Sequence, residues 1–295
     1  MRMTASPLIV FGTLLCLAGA SPATFAQQQQ DFSKVEIKAT KLAENFYTLE
    51  GQGGTIGVLA GPDGVFMVDS QFAPLTDKIV AAIKQITPAP IKFMVNTHLH
   101  PDHTGGNENL AKLGVTLVSR DKLRSRLEAA KRPPEALATI TYDSPITFHM
   151  NGEEIRLIPV PGAHTDGDTM IHFVKADVIM TGDFYRQIGY PFVDRNNGGS
   201  SQGLIDGLQK IVDTAGPNTR IVPGHGTVVN KNDVAAHRQM AIAIRDKAAA
   251  MAKEGKTADE IVASKLTADF DAKVPQGAQT SERYVRAVAT EAGAK

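Results

Sequence analysis

The feature that most constrains this chain is a cluster of three histidines and one aspartate within six positions, residues 98–103. The cluster directly follows residues 91–95, an apolar run interrupted only by Lys92, which predicts a largely buried strand. A Pro-Asp pair and a Gly-Gly pair then turn the chain, so that the four side chains can converge. Neutral imidazole and carboxylate are ligands that zinc and similar divalent ions accept. We therefore predict a metal site at this strand end, and a solvated polar turn is the weaker interpretation.

The spacing of this cluster, H-x-H-x-D-H, resembles the motif of the metallo-β-lactamase superfamily, and the resemblance extends over residues 46–236. Later positions match the remaining ligands of that family in order: His164 in a Pro-Gly-Ala-His segment, Asp183 after Thr-Gly, and His225 in Pro-Gly-His-Gly. Asp69 matches the early aspartate that orients the site. Each later match is a common turn sequence by itself, but together they are highly specific. The resemblance implies an α/β fold, a four-layer αββα sandwich.

The resemblance also implies a division of these residues between two metal ions, with zinc expected at both positions and iron or manganese as possible replacements. The metals would generate hydroxide at neutral pH, and Asp102 and Asp183 are expected to act in catalysis. The first metal would be bound by His98, His100 and His164, the second by Asp102, His103 and His225, and Asp183 would bridge them.

The N-terminal residues 1–26 have the pattern of a signal peptide. Arg2 is their only charge, residues 8–20 are mostly apolar but too few to span a bilayer, and Thr-Phe-Ala at 24–26 fits a cleavage site. We expect a periplasmic or secreted protein of residues 27–295 that is not membrane-bound after cleavage. Cleavage would remove Cys16, the only cysteine, and this excludes the lactamase branch that uses a cysteine ligand.

The remaining sequence predicts a single domain in which groups of short strands alternate with helices. Two β-sheets with helices outside would satisfy this order. Gly51, Gly53 and Gly54 predict a hairpin with a flexible tip, and the part from about Asp233 onward is largely helical without a motif that carries chemistry. The 31 basic residues balance 31 acidic ones, which argues against a nucleic-acid partner.

These features favour a hydrolase that opens a cyclic amide or ester of the β-lactam kind. A lactonase, a general esterase or a thioesterase on the same site is the first alternative. A mononuclear iron oxygenase similar to persulfide dioxygenases is the second, and a binding protein without activity is the third and weakest. The expected partner is a small molecule with a carbonyl group and, in one interpretation, a carboxylate.

Residues that could contact this substrate lie in a long loop, residues 184–201. Arg186 follows Asp183 by three positions, as a substrate-binding lysine follows the cysteine ligand in the lactamases that this chain resembles, and it could grip a carboxylate. Tyr185 and Tyr190 could cover an apolar ring of the substrate. The alternative for Arg186, weighed equally, is a simple ion pair with a carboxylate such as Asp194.

Overall fold

The computed structural model describes residues 31–295, so the predicted signal peptide lies outside the described residues. Among residues 31–295, no helix combines the length and apolar character that crossing a membrane requires. Residues 32–295 form one compact unit.

The first sheet has seven strands, which lie in the same order as in the chain. The first four pair antiparallel, and the last three add in parallel. Parallel neighbours need a crossover, which helices supply here. The strands are β1 (Lys38–Lys41), β2 (Phe46–Glu50), β3 (Ile56–Gly61), β4 (Gly64–Val68), β5 (Ile91–Val95), β6 (Thr116–Arg120) and β7 (Ile140–Tyr142).

The second sheet has five strands in the order β12-β11-β10-β9-β8. The pair β11 and β12 is parallel, and the other pairs are antiparallel. The strands are β8 (Ile146–Met150), β9 (Glu153–Pro159), β10 (Thr169–Phe173), β11 (Val178–Met180) and β12 (Arg220–Val222).

The two sheets pack face to face because their strands are apolar on both sides. Successive side chains of a strand point to opposite faces. Phe66 therefore points into the core between the sheets, while Met67 points to the outer helices. In the second sheet, Ile171 points inward and Met170 outward. This arrangement buries three apolar layers and confirms the predicted four-layer sandwich.

Helices cover the outer face of each sheet. One set packs on the first sheet, and the other set packs on the second sheet and includes the C-terminal helices. The longest helix begins at a capping box in which Asn230 and Asp233 satisfy each other's backbone N–H groups. The helices are α1 (Thr76–Ile86), α2 (Pro101–Thr104), α3 (Asn107–Lys112), α4 (Asp121–Ala129), α5 (Ser201–Thr214), α6 (Lys231–Lys253), α7 (Ala258–Ala263) and α8 (Ser281–Glu291).

The glycine-rich connection between β2 and β3 differs from the predicted flexible tip. Gly54 donates its N–H to the carbonyl of Asp102 at 3.1 Å and accepts the side-chain amide of Gln71 at 2.8 Å. A Cβ atom on Gly54 would lie 2.0 Å from the His103 ring. The glycine is therefore needed for close approach to the predicted metal site, and the tip is held in place.

Candidate metal centre

The predicted ligands lie at one edge of the sandwich, where strands of both sheets end. The cluster at 98–103 follows β5 and runs into the short helix α2. From the second sheet, His164 follows β9, Asp183 follows β11 and His225 follows β12. Strand ends are rigid because the sheet fixes the backbone before the ligand. All seven predicted ligands converge here, although they come from segments as far apart as residues 98 and 225.

The first group consists of His98, His100 and His164. The Nε2 atom of His164 lies 2.9 Å from Nδ1 of His100. The ring of His98 lies 5.0 Å from that of His100 and 4.6 Å from that of His164, between ring centroids. Ligand atoms from the three residues all lie within 4.8 Å of one another, a spacing that one metal ion can fill.

The second group consists of Asp102, His103 and His225. Oδ2 of Asp102 lies 3.1 Å from Nε2 of His225 and 3.6 Å from Nε2 of His103. Oδ1 of Asp183 lies 3.3 Å from the Nε2 atom of each of these two histidines. Asp183 also forms a third group with His98 and His103, so it connects the first group to the second.

The chemistry of the donor atoms fits divalent metal ions. Nε2 of His98, Nε2 of His103 and Oδ1 of Asp183 are buried and have no hydrogen-bond partner among residues 31–295. Leaving such buried polar atoms unpaired costs free energy, so native proteins nearly always satisfy them. A cation placed between them would satisfy all three, and nitrogen and oxygen are the donors that zinc accepts.

The ionisation of the cluster also suits cations. Burial lowers the pKa of His164 to about 4. Burial and the charges of His103 and His164 hold the pKa of His98 well below its ordinary value. For Asp183, burial opposes ionisation, but His103 and His225 outweigh it and hold the pKa well below the usual range. The first group therefore offers neutral imidazoles beside an ionised Asp183. In the second group, neighbouring carboxylates outweigh burial and raise the pKa values of His103 and His225, so a cation bound there would displace their protons.

Asp69 lies at the end of β4 and orients this cluster, as the resemblance implies. Its carboxylate accepts hydrogen bonds from the backbone N–H and the hydroxyl of Thr97, both at 2.7 Å, and lies 2.7 Å from Nδ1 of His103. The residue has a φ of 62°, a left-handed conformation that is uncommon outside glycine. These contacts fix the His103 ring so that its Nε2 atom faces the second group.

The loop after Asp183 holds the first group in the same way, which the sequence analysis did not predict. Oδ2 of Asp194 lies 2.8 Å from Nε2 of His100, and the carbonyl of Phe192 lies 2.6 Å from Nδ1 of His164. These partners leave Nδ1 of His100 and Nε2 of His164 for a metal. The sequence offers Asp194 only as an alternative partner for Arg186, although a carboxylate in a loop that follows a ligand is a signal for this role.

The predicted substrate contacts of Tyr185 and Tyr190 need correction. Tyr190 is fully buried, and its hydroxyl donates to the carbonyl of Thr267 and to the carboxylate of Asp271 at 2.7 Å. Tyr185 is 3% exposed and packs edge-on against His237. Both rings belong to the apolar cluster between the second sheet and the helices, where burial removes their large apolar surface from water.

Arg186 does not pair with Asp194, which was the alternative considered for it. Its Nη1 atom lies 3.4 Å from Oδ2 of Asp183 instead. Its Nε atom is buried and has no hydrogen-bond partner in the described part of the chain. The guanidinium therefore lies beside the carboxylate that connects the two metal groups. A second guanidinium, from Arg283 on α8, lies over the Phe192 ring at 4.1 Å from the ring centroid. The helical part therefore contributes a charged group near the site, which its sequence did not indicate.

A sandwich that gathers histidines and carboxylates at one edge, in groups whose ligand atoms lie within 4.8 Å of one another, is a fold with a site that can hold metal ions. The chain belongs to the metallo-beta-lactamase superfamily, whose family model matches residues 49–225. This confirms the predicted family.

Two curated relatives resemble part of the chain. It is 29% identical over 191 residues to the beta-lactamase-like protein 2 homolog of Caenorhabditis elegans, covering 63% of this chain and 59% of that protein. It is 29% identical over 170 residues to a hydroxyacylglutathione hydrolase of Brucella anthropi, covering 57% of this chain and 60% of that protein. The chain thus spans about 60% of the length of these relatives.

Solved structures share the fold at lower identity. The DIM-1 metallo-beta-lactamase has a TM-score of 0.62 at 19% identity, with 70% of this chain and 98% of that chain covered. The sec-alkylsulfatase Pisa1 from Pseudomonas sp. has a TM-score of 0.73 at 17% identity, with 86% of this chain and 50% of that chain covered. Both similarities concern the fold alone.

Proposed function

We propose that this chain is an exported hydrolase that holds two zinc ions and opens a cyclic amide or ester of a small molecule. The observation that carries the proposal is the position of Asp183. Its Oδ1 atom lies 3.3 Å from Nε2 of both His103 and His225, while the same carboxylate groups with His98. One carboxylate shared by two sets of ligands is the arrangement that two neighbouring cations need, because it reduces their mutual repulsion.

The predicted ligands would bind the two ions as two groups. The three histidines of the first group would hold one zinc, Asp102, His103 and His225 would hold the other, and Asp183 would contact both. When bound, such ions acidify water and polarise a carbonyl oxygen. Asp69 and Asp194 would keep the His103 and His100 rings in the orientation that binding needs. No nucleophile from the protein is required for this reaction.

A thioester is the second candidate substrate, and one observation favours it. Several of the relatives that match this chain are named hydroxyacylglutathione hydrolase, at 28–29% identity. The chemistry at the carbonyl carbon is the same for an ester and a thioester. The mononuclear iron oxygenase remains a further alternative, since imidazole and carboxylate also bind iron.

Hydrolysis of a small panel tests the proposed reaction. Zinc-loaded protein would be assayed with a β-lactam, a lactone, a carboxylic ester and a thioester, beside His98→Ala and the matched control His149→Ala, whose histidine is exposed on β8. We expect turnover of at least one compound, loss of that turnover in His98→Ala and its retention in His149→Ala. Failure of the wild type on all four, together with oxygen consumption by an iron-loaded sample, would support the oxygenase instead.

Export is proposed from residues 1–26 alone. Expression of the full chain in a Gram-negative host, followed by mass spectrometry of the periplasmic fraction, would locate the mature N-terminus. We expect cleavage after Ala26. Recovery of the protein only in the cytoplasm with Met1 still present would contradict the proposal.

A further inference from the structure

The helix α4 packs beside the first group of metal ligands. Its buried Leu123 and Leu127 form an apolar cluster, and Leu99, which separates the first two histidine ligands in the chain, packs against this cluster. A Cβ atom on Gly167 would lie 3.1 Å from Cβ of Leu123, so the turn that follows His164 comes close to the same helix. The helix therefore lies against both chain segments that supply the first group.

Arg126 binds the turn that follows His164. It stands three positions after Leu123, a spacing that places both side chains on the same side of the helix. Its Nε atom donates to Oδ1 of Asp166 at 2.6 Å, and its Nη2 atom donates to Oδ2 of the same carboxylate at 2.7 Å. Two parallel bonds between a guanidinium and a carboxylate fix the orientation of the two groups as well as their distance. The turn is thus held against α4 two residues after a ligand.

The third nitrogen of the same guanidinium reaches the loop at residues 184–201. Nη1 of Arg126 donates to Oδ1 of Asn197 at 3.1 Å. The side-chain amide of Asn197 donates to Oδ2 of Asp194 at 2.6 Å, and this oxygen lies 2.8 Å from Nε2 of His100. The N–H of Asp194 also donates to the carbonyl of His164 at 2.9 Å. A continuous path of hydrogen bonds therefore runs from Arg126 through the loop to the ring of His100.

The bonds of Arg126 matter for where they lead and not for their strength. The side chains of Arg126 and Asp166 are 28% and 24% exposed, and ion pairs in contact with solvent contribute little to stability. All three guanidinium nitrogens nevertheless bind acceptors in the two segments that carry or orient the first group. Arg124, on the same helix, donates instead to the carbonyl of Ala138 at 2.7 Å, which belongs to neither segment.

We propose that Arg126 is a positioning residue for the first metal, outside the ligand motif. It holds the segment of His164 and the carboxylate that orients His100 in one fixed arrangement, so that their ring nitrogens face the same ion. The inference rests on the metal centre of the proposed function and is independent of the substrate. Outer partners of this kind matter because loss of one typically lowers metal affinity about 10–100-fold.

Zinc binding by a protein that keeps only the first group tests this role without any assay of turnover. His225→Ala removes a ligand of the second group, and competition with a chromophoric chelator then measures the affinity of the first group. On this background we would compare Arg126→Gln, Arg126→Lys and the control Arg124→Gln. We expect Arg126→Gln to weaken zinc binding about 10–100-fold and the control to leave it unchanged. Arg126→Lys should weaken it nearly as much, because an ammonium keeps the charge but cannot form the two parallel bonds.

The absorption spectrum of the Co²⁺-loaded protein separates positioning from a general effect on stability. Its d–d bands report the arrangement of the ligands, and urea unfolding of the metal-free protein reports stability. We expect Arg126→Gln to change the cobalt bands while its unfolding free energy stays close to that of Arg124→Gln. An unchanged cobalt spectrum would overturn the inference, whatever happens to the affinity, and so would full recovery of zinc binding in Arg126→Lys.

Failure of this inference can be distinguished from failure of the proposed function. If metal binding depends on Arg126 as expected but the wild type hydrolyses none of the test compounds, the hydrolase proposal fails and the positioning role stands. If hydrolysis is found but Arg126→Gln has the cobalt spectrum and zinc affinity of the control, the hydrolase proposal stands and the positioning role fails. A wild type that binds no divalent metal would overturn both.

Discussion

Replacement of Asp69 tests whether one buried carboxylate organises the metal centre. Asp69 is 1% exposed and His103 is fully buried. The change Asp69→Ala removes the carboxylate that accepts from the N–H and the hydroxyl of Thr97 and that contacts Nδ1 of His103. Each charge-assisted hydrogen bond contributes about 1.5–3 kcal/mol, but three bonds to one group are not additive. We expect a loss of about 3–5 kcal/mol of unfolding free energy, typical of breaking a buried charged network.

The conservative change Asp69→Asn separates stability from metal binding. The asparagine oxygen can still accept from the N–H of Thr97, so less stability is lost than with alanine. Its amide nitrogen, however, would donate to Nδ1 of His103 and move the imidazole proton to Nε2, the atom that faces the metal. We therefore expect Asp69→Asn to lower the affinity of the second metal at least as much as Asp69→Ala, roughly 10–100-fold.

Two measurements check this pair of variants. Urea unfolding of the metal-free proteins gives the stability change, and competition with a chromophoric chelator gives the metal affinity. Asp213→Ala is the control, because Asp213 accepts a hydrogen bond from the nearby Gln209 side chain at 2.7 Å on the exposed side of its helix, away from the metal ligands. Wild-type metal affinity in Asp69→Asn, or an unfolding free energy in Asp69→Ala that equals that of the control, would refute the reasoning.

Three further variants test other parts of the site. Asp183→Ala should reduce the metal content from two ions per chain toward one, because the repulsion between the ions rises. Elemental analysis measures this, and equal loss of both metals or no loss would contradict the bridging role. Gly54→Ala should lower both the melting temperature and the metal affinity, because the added Cβ atom would lie 2.0 Å from the His103 ring. Gly216→Ala is the control, because its added Cβ atom would lie 3.5 Å from the nearest side chain, Thr219. Tyr190→Phe should lose about 1 kcal/mol of unfolding free energy and keep the wild-type KM, and a raised KM with unchanged stability would instead support the original substrate-contact prediction.

Local sequence patterns predicted the buried strands and the seven residues that converge at one edge of the sandwich. Buried strands show as short apolar runs, and β5 has the bounds that the apolar run at residues 91–95 predicts. β7 shows no such run, because Ile140 and Thr141 are exposed and only Tyr142 is buried. The candidate ligands could be identified because they lie in turns that follow strands and because they occur in the order found in the metallo-β-lactamase superfamily.

The surroundings of the ligands could not be predicted because they depend on which distant segments meet. Phe192 and Arg283 are 91 positions apart, and no local pattern indicates that a C-terminal helix lies over the loop. The orientation of Tyr190 was equally open, since an aromatic residue in a loop can face a substrate or a helical core. The stacked ring of Tyr284 and the carbonyl of Thr267 decide it.

The most direct test of the two-metal centre is a titration of metal-free protein with zinc while hydrolysis of an active substrate and bound metal are measured together. The ligand set predicts that activity rises until two zinc ions are bound per chain and that His225→Ala, which affects only the second group, binds one zinc and has little activity. Full activity at one zinc per chain, or activity that only iron restores, would contradict the dinuclear zinc hydrolase.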